Sequence, residues 1–166
     1  MTQSRRDATL SLTVDATTNA CLWLDKYYHA RDETLRQEIE PKFVLVDEVA
    51  TKIAFATPYV SFYNRWHQSL KQFGADCRPA EVQGRMAIDL GAEAVLETSI
   101  ALHHTYGVPY IPGSALKGLA AHYTKHLEDA QWHKGGKAHE VVFGSTKTAG
   151  YVTFFDALYI PGTGHD

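Results

Sequence analysis

The chain has 166 residues, of which 45% are hydrophobic, so it is long enough for one domain with a buried core and too apolar for disorder. It carries 16 Lys and Arg residues against 19 Asp and Glu residues, and this balance does not by itself indicate a nucleic-acid partner. Apolar runs stay well short of the roughly 18 to 20 residues of a membrane span, and the first residues lack a signal's apolar core. We therefore expect a cytoplasmic protein with no membrane partner.

The two cysteines, Cys21 and Cys77, are far apart and have no CxxC partner. This pattern favours reduced thiols over a disulfide framework or a zinc site. We predict no metal ligand and no cofactor.

The distribution of charge is more informative than its sum. Between Ala101 and Lys147 there are five lysines and three acidic residues, which gives this window a net charge of +2. Because the whole chain has a net charge of −3, the remaining residues together carry −5. Six of the nine histidines fall in the same window. Such a window can form one basic face on an acidic protein.

The N-terminal half has the periodicity of helices. Apolar residues at three-and-four spacing predict a helix over 17–39 that ends before Pro41, and another over 58–74 with Thr57 as its cap and Pro58 in its first turn. The apolar run 43–49 fits a strand or a helix equally well.

From residue 83 onward the pattern changes to alternation. It predicts strands over 84–90 and 94–102, joined as a hairpin at Gly91, and a third strand over 150–158. An apolar stripe predicts a helix over 114–128. Strands and one helix after a helical part indicate an α+β fold.

The segment HHTYGVPYIPGSALKGLAAHY, residues 103–123, departs from ordinary helix chemistry at two adjacent positions. Ser114 is placed to cap the helix, but Lys117 near its start opposes the helix dipole unless an anion is bound there. Gly118 costs about 1 kcal/mol relative to alanine inside a helix. Either a ligand uses both residues, or Lys117 points into water and Gly118 allows tight packing.

A stretch within this segment, PYIPGSALKGLA, resembles the glycine-rich loop of the RAMP superfamily, the ferredoxin-like RNA-binding proteins of type III CRISPR effectors. The segments 22–28, 84–118 and 142–157 are similar to one branch of it, the sixth subunits of type III-B (Cmr) complexes. The resemblance implies a ferredoxin-like (RRM-like) fold, with a helical part over 1–80 and a core over 81–166 in one integrated domain.

The resemblance also implies a function. It is that of a non-catalytic backbone subunit that contacts guide RNA and the guide–target duplex in antiviral defence, with other RAMP subunits as partners. The predicted RNA-binding residues are His103, His104, Tyr106, Gly113, Ser114, Lys117, Gly118, Lys125 and Lys147.

Several alternatives remain open for single residues. His103 and His104 could serve as general acid or base in an RAMP-type endoribonuclease. His122 and His126, four residues apart on a helix, could hold a metal, although surface histidines are the better interpretation. Tyr106 either stacks on a base or packs.

Two further predictions concern strands. Asp156 is predicted to be a hydrogen-bonded structural carboxylate, and Tyr110 to pack. Members of that sixth-subunit branch usually continue well beyond the FFDA strand. We therefore expect an incomplete sheet with an unpaired edge, completed either by an assembly partner or by the run 43–49. A subunit mimic that docks on effector proteins is then the rival function.

Overall fold

The computed structural model describes residues 12–27, 41–54, 57–91 and 100–163. The chain divides into two compact units: unit 2 is Tyr110–Leu158, and unit 1 is Met1–Pro109 together with Tyr159–Asp166. The predicted division near residue 80 stays a prediction. No helix in these described ranges is long and apolar enough to cross a membrane.

Unit 1 contains three helices among its described residues: α1 (Ala20–Lys26), α2 (Pro41–Lys52) and α3 (Thr57–Gln72). The first two pack together through Trp23, Leu24 and Leu45, each of which is at least 91% buried. The indole N–H of Trp23 donates to the Glu48 carboxylate at 3.2 Å, so the buried ring keeps its polar atom paired.

Helix α3 confirms the prediction for this part of the chain to within two residues at its C-terminal end, with Thr57 as its first residue. It is anchored by Tyr59, whose side chain is fully buried. The Tyr59 hydroxyl donates to the carbonyl of Tyr159, which fixes the chain's return into unit 1 against the helix. Burial raises the pKa of Tyr59 to about 12.

Unit 2 is built on one small antiparallel sheet. Strand β1 (Tyr110–Ile111) pairs with β2 (Ala157–Leu158), so that Tyr110 lies opposite Leu158. Helix α4 (Gly113–Tyr123) follows β1 after one residue and continues into a 3-10 turn over Thr124–His126. A second 3-10 turn and helix α5 (Lys137–Phe143) complete the unit. The Phe143 ring stacks on Phe154 at 5.8 Å between centroids.

Mixed helices and a sheet confirm the α+β class, but several predicted elements are wrong in extent. The run 43–49, which the sequence left open between strand and helix, is helical within α2, so the alternative in which it completes the sheet as a strand is wrong. Pro41 begins that helix; a proline at a helix start loses no hydrogen bond. Of the helix predicted over 17–39, Ala20–Lys26 is helical and 28–40 lie outside the described residues. The helix predicted over 114–128 ends at Tyr123.

The predicted strands are shorter than their alternating patterns suggest. Residues 85–89 form no strand, and Asp89 has φ +71°, outside the extended region. Residues 92–99 lie outside the described residues. In the described part of that hairpin, the Ala101 N–H donates to the Ile88 carbonyl at 3.1 Å. Of 150–158, only Ala157–Leu158 pairs. Alternation selects the face of a strand, but a strand forms only where a neighbour supplies hydrogen bonds.

Replacing Tyr59 with Phe tests the anchor of α3. We expect the free energy of unfolding to fall by about 1 kcal/mol at neutral pH, because the hydrogen bond from the Tyr59 hydroxyl to the Tyr159 carbonyl is lost. The folded protein holds the Tyr59 pKa at about 12 against 10.0 for a free phenol. The free energy of unfolding of the parent therefore falls as pH rises above about 10, whereas the variant lacks this dependence. The difference in stability between parent and variant should shrink over that range.

Urea unfolding from pH 8 to pH 12 measures this difference. The matched control is Tyr151→Phe, since the Tyr151 side chain is 88% exposed and should give no change. Parallel pH profiles for the parent and the Tyr59 variant would contradict the assignment.

Candidate nucleic-acid interface

The start of α4 is fixed by a contact between glycine and a carboxylate. The Gly113 N–H donates to Oδ1 of Asp156 at 2.7 Å, and Gly113 is buried. A Cβ at Gly113 would lie 2.1 Å from the carbonyl oxygen of Phe154, so only glycine fits there. Asp156 is thus the structural carboxylate that the sequence predicted.

This contact corrects the prediction that Ser114 caps the helix. Pro112 is the residue at the N-cap and makes no side-chain capping bond, while Ser114 is the second residue of the helix and is exposed. Asp156 supplies the negative charge that favours a helix N-terminus. The position that we predicted for a bound anion is therefore partly taken by the chain's own carboxylate.

Beyond its first residue, α4 presents an open surface on unit 2. Ser114, Gly118 and His122 recur every four residues, so they lie on one face, and all three are exposed. Apart from the two adjoining residues and the backbone of the helix itself, no described residue comes within 4 Å of the position that a Cβ on Gly118 would take. Gly118 is therefore not explained by close packing within the described part of unit 2. We call this surface the α4 face.

The apolar and cationic neighbours of the α4 face are also known. Leu119 is 68% exposed and Tyr123 is 64% exposed. Lys117 is half-buried. Nζ of Lys125, just past the helix, lies 2.6 Å from Nε2 of His122. At Gly118 the helix backbone is therefore not covered by a side chain. The exposed rings of His122 and Tyr123 and the lysines Lys117 and Lys125 lie on α4 or just after it.

Lys147 lies in a closed turn rather than a loose loop. The Ser145 N–H donates to the Thr148 carbonyl at 2.8 Å, and the Lys147 N–H lies 3.2 Å from the Ser145 hydroxyl. Gly144 has φ +80° and faces the Gly150 amide so closely that a Cβ would lie 2.5 Å from it. The turn thus holds an exposed lysine in a defined position.

The three remaining predicted residues lie in unit 1. Tyr106 stacks on Phe62 at 4.7 Å between ring centroids, and His103 lies 4.9 Å from Tyr106. Both side chains are half-buried. One face of the Tyr106 ring is therefore used in packing, and RNA contact by either residue stays a prediction.

His104 is exposed and faces Cys21 and Asp25, two residues for which the sequence predicted no site. Its Nδ1 lies 3.7 Å from Sγ of Cys21, which lies 3.8 Å from Oδ2 of Asp25. Burial raises the pKa of the Cys21 thiol, and the Asp25 carboxylate acts in the same direction. Cys21 and Asp25 are one helical turn apart, which was readable from sequence, but nothing local indicated that His104 joins them.

Two glycine substitutions test the different surroundings of Gly113, which is in close contact with the Phe154 carbonyl, and Gly118, which faces open space. Gly113→Ala should lower the free energy of unfolding by about 1–3 kcal/mol or more, because the added methyl group overlaps the Phe154 carbonyl. Gly118→Ala should stabilise it by up to about 1 kcal/mol, because the added methyl group meets open space. Thermal unfolding of both variants gives the comparison. Shifts of the same sign would contradict this assignment.

Comparison with known proteins places the chain in a family. A sequence model of the RAMP superfamily matches residues 49–165. The chain is also 42% identical over 69 residues to the CRISPR system Cmr subunit Cmr6 of Pyrococcus furiosus, a match that covers 42% of this chain and 20% of that protein. The matched part thus spans about a fifth of the relative's length. The superfamily match covers more than two thirds of the chain and includes all of α4 and its Gly113–Asp156 contact, and the chain belongs to the RAMP superfamily.

Proposed function

We propose that this chain is an RNA-binding subunit, without a nuclease centre, of a type III-B CRISPR ribonucleoprotein that acts in antiviral defence. Its proposed ligands are guide RNA and the guide–target duplex, and its proposed partners are other RAMP subunits. Membership of the superfamily and the identity to a Cmr6 protein support the class of complex. The exposed Gly118 on the α4 face is the observation that carries the assignment of the RNA site.

The first support is energetic. A glycine in a helix interior costs about 1 kcal/mol relative to alanine. Packing in the described part of unit 2 does not offset that cost, since beyond the helix backbone and the two adjoining residues none of it comes within 4 Å of a Cβ placed on Gly118. A sugar–phosphate backbone lying across the helix would use that space. Ser114, on the same face, offers a hydroxyl to the same ligand.

The second support concerns the position of the phosphates. Because Asp156 accepts from the first amide of α4, its carboxylate repels an anion at the very start of the helix. Phosphates are therefore favoured further along, beside Gly118 and Lys117. Lys125 and Lys147, both exposed on unit 2, add positive charge without any arrangement that reads bases. We therefore propose binding that is independent of RNA sequence.

The ferredoxin-like arrangement is part of the same proposal. The segments 85–89 and 151–156 have strand-like alternation in the sequence but form no strand among the described residues. Backbone groups of this kind form strands when a neighbouring chain supplies the missing hydrogen bonds. Pairing with adjacent RAMP subunits would complete the sheet.

Lys117→Ala should weaken RNA binding several-fold at moderate salt, with little change in melting temperature. For single-stranded RNA, loss of one phosphate contact should also reduce the slope of log K against log salt by about 0.7. Lys71→Ala is the matched control, because Lys71 is an exposed helical lysine in unit 1. Filter binding across a salt series measures both effects. Equal losses for Lys71 and Lys117 would contradict a local site.

Gly118→Val should weaken RNA binding while leaving the melting temperature unchanged or raised, because valine favours a helix more than glycine does. The side chain then fills the space proposed for the RNA backbone. Gly118→Ala serves as the smaller step, with an intermediate loss expected. If the valine variant binds RNA as the parent does, the α4 face is not the site.

Affinity purification of the tagged chain from cells that express a type III-B effector tests the class of function. We expect guide RNA to accompany the chain together with effector proteins. Effector proteins without RNA would instead favour a docking module that mimics a subunit. Incubation with labelled guide precursor should leave that RNA intact, and cleavage that depends on His103 or His104 would contradict the non-catalytic assignment.

A further inference from the structure

Three side chains of different chemistry converge within unit 1. They are the thiol of Cys21, the carboxylate of Asp25 and the imidazole of His104, and their ligand atoms all lie within 4.8 Å of one another. Sγ of Cys21 lies 3.8 Å from Oδ2 of Asp25 and 3.7 Å from Nδ1 of His104. Sulfur, nitrogen and oxygen donors of these types are the ligands that Zn²⁺ takes in proteins.

Two of the three donor separations are close to those expected around a shared metal. Zinc bonds of about 2.3 Å to sulfur and about 2.0–2.1 Å to nitrogen or oxygen, at tetrahedral angles, separate neighbouring donors by about 3.4–3.6 Å. The two separations from Sγ, 3.8 Å and 3.7 Å, exceed the upper end of that range by about 0.1–0.2 Å, and the third separation is within 4.8 Å. Rotation of the exposed Asp25 and His104 side chains can close such a gap, because neither is held in a packed core.

The backbone that carries these donors is held in place by one asparagine. Cys21 and Asp25 lie one turn apart in α1, so they share a face. Asn19 caps that helix by accepting from the Leu22 N–H at 3.0 Å. Its amide nitrogen lies 2.9 Å from the carbonyl of Thr105 and 3.2 Å from that of His104, and it donates to both.

Gly107 completes the close approach of the turn to the helix. It has φ +65°, a conformation that favours glycine, and a Cβ there would lie 2.7 Å from the Ala20 amide nitrogen. The turn 103–107 and the start of α1 are thus fixed relative to each other before any ligand binds. Pre-arranged donors lose less freedom when a metal binds them.

We propose that Cys21, Asp25 and His104 form a binding site for a divalent transition metal of the zinc type, with a fourth position open to water. The Cys21 thiol passes its proton to solvent as the sulfur–metal bond forms, and the imidazole binds through neutral Nδ1. The metal links α1 to the turn 103–107. This site replaces the expectation of no metal, and it does not depend on the proposed RNA function.

The test uses the whole chain, stripped with chelator and titrated with Co²⁺ and then with Zn²⁺. We expect one equivalent of Co²⁺ to bind with a thiolate-to-cobalt charge-transfer band in the near ultraviolet, and Zn²⁺ to displace it. Cys21→Ser should abolish the band. Cys77→Ser is the matched control and should keep it, because Cys77 is the other free thiol of similar exposure and lies outside the cluster.

Two further variants keep the result interpretable should Cys21→Ser fold poorly. His104→Ala and Asp25→Asn change exposed side chains and should each weaken Co²⁺ binding by at least about tenfold, whereas His126→Ala should not. Absence of a charge-transfer band in the parent, or a band that survives Cys21→Ser, would overturn the proposal. Loss of binding in the Cys77 or His126 control would also overturn it. In those cases the three groups are only a hydrogen-bonded cluster.

Discussion

The hydrogen bond from the Gly113 N–H to the Asp156 carboxylate is the constraint on which unit 2 depends. It joins the first residue of α4 to the residue just before β2, and so holds the helix against the two-stranded sheet. The bond is possible because Gly113 has no side chain to separate it from the Phe154 carbonyl. It also places the Asp156 carboxylate at the start of the helix. Under the proposed function, an RNA backbone would therefore lie further along α4, beside Gly118.

The elements that sequence predicted well are those whose signals are local. Helix α3 has an apolar stripe and a proline in its first turn, and both features act within the segment itself. The strands were overestimated, because alternation over 150–158 records which side is buried and not whether a partner lies alongside. The choice between helix and strand for 43–49 required the contact of Leu45 with Trp23 and Leu24, which no local pattern contains.

The candidate sites divide in the same way. Lys117 and Gly118 were found from sequence because each conflicts with helix chemistry, and a conflict is visible without a structure. Sequence alone did not show that Gly113 makes an internal contact whereas Gly118 faces open space, since both glycines belong to one glycine-rich motif. The convergence of His104 on Cys21 and Asp25 depends on the Asn19 amide, which bonds across more than 80 residues of chain. Such a cluster emerges only from tertiary structure.

The central claim is that RNA lies on the α4 face. The most direct measurement is photochemical crosslinking of RNA within an assembled effector that contains this chain, followed by mass spectrometry of the crosslinked peptides. The account predicts crosslinked nucleotides on Gly113–Tyr123 and on the turn that carries Lys147. A complex that retains guide RNA, but whose crosslinks to this chain all lie outside those residues, would contradict it.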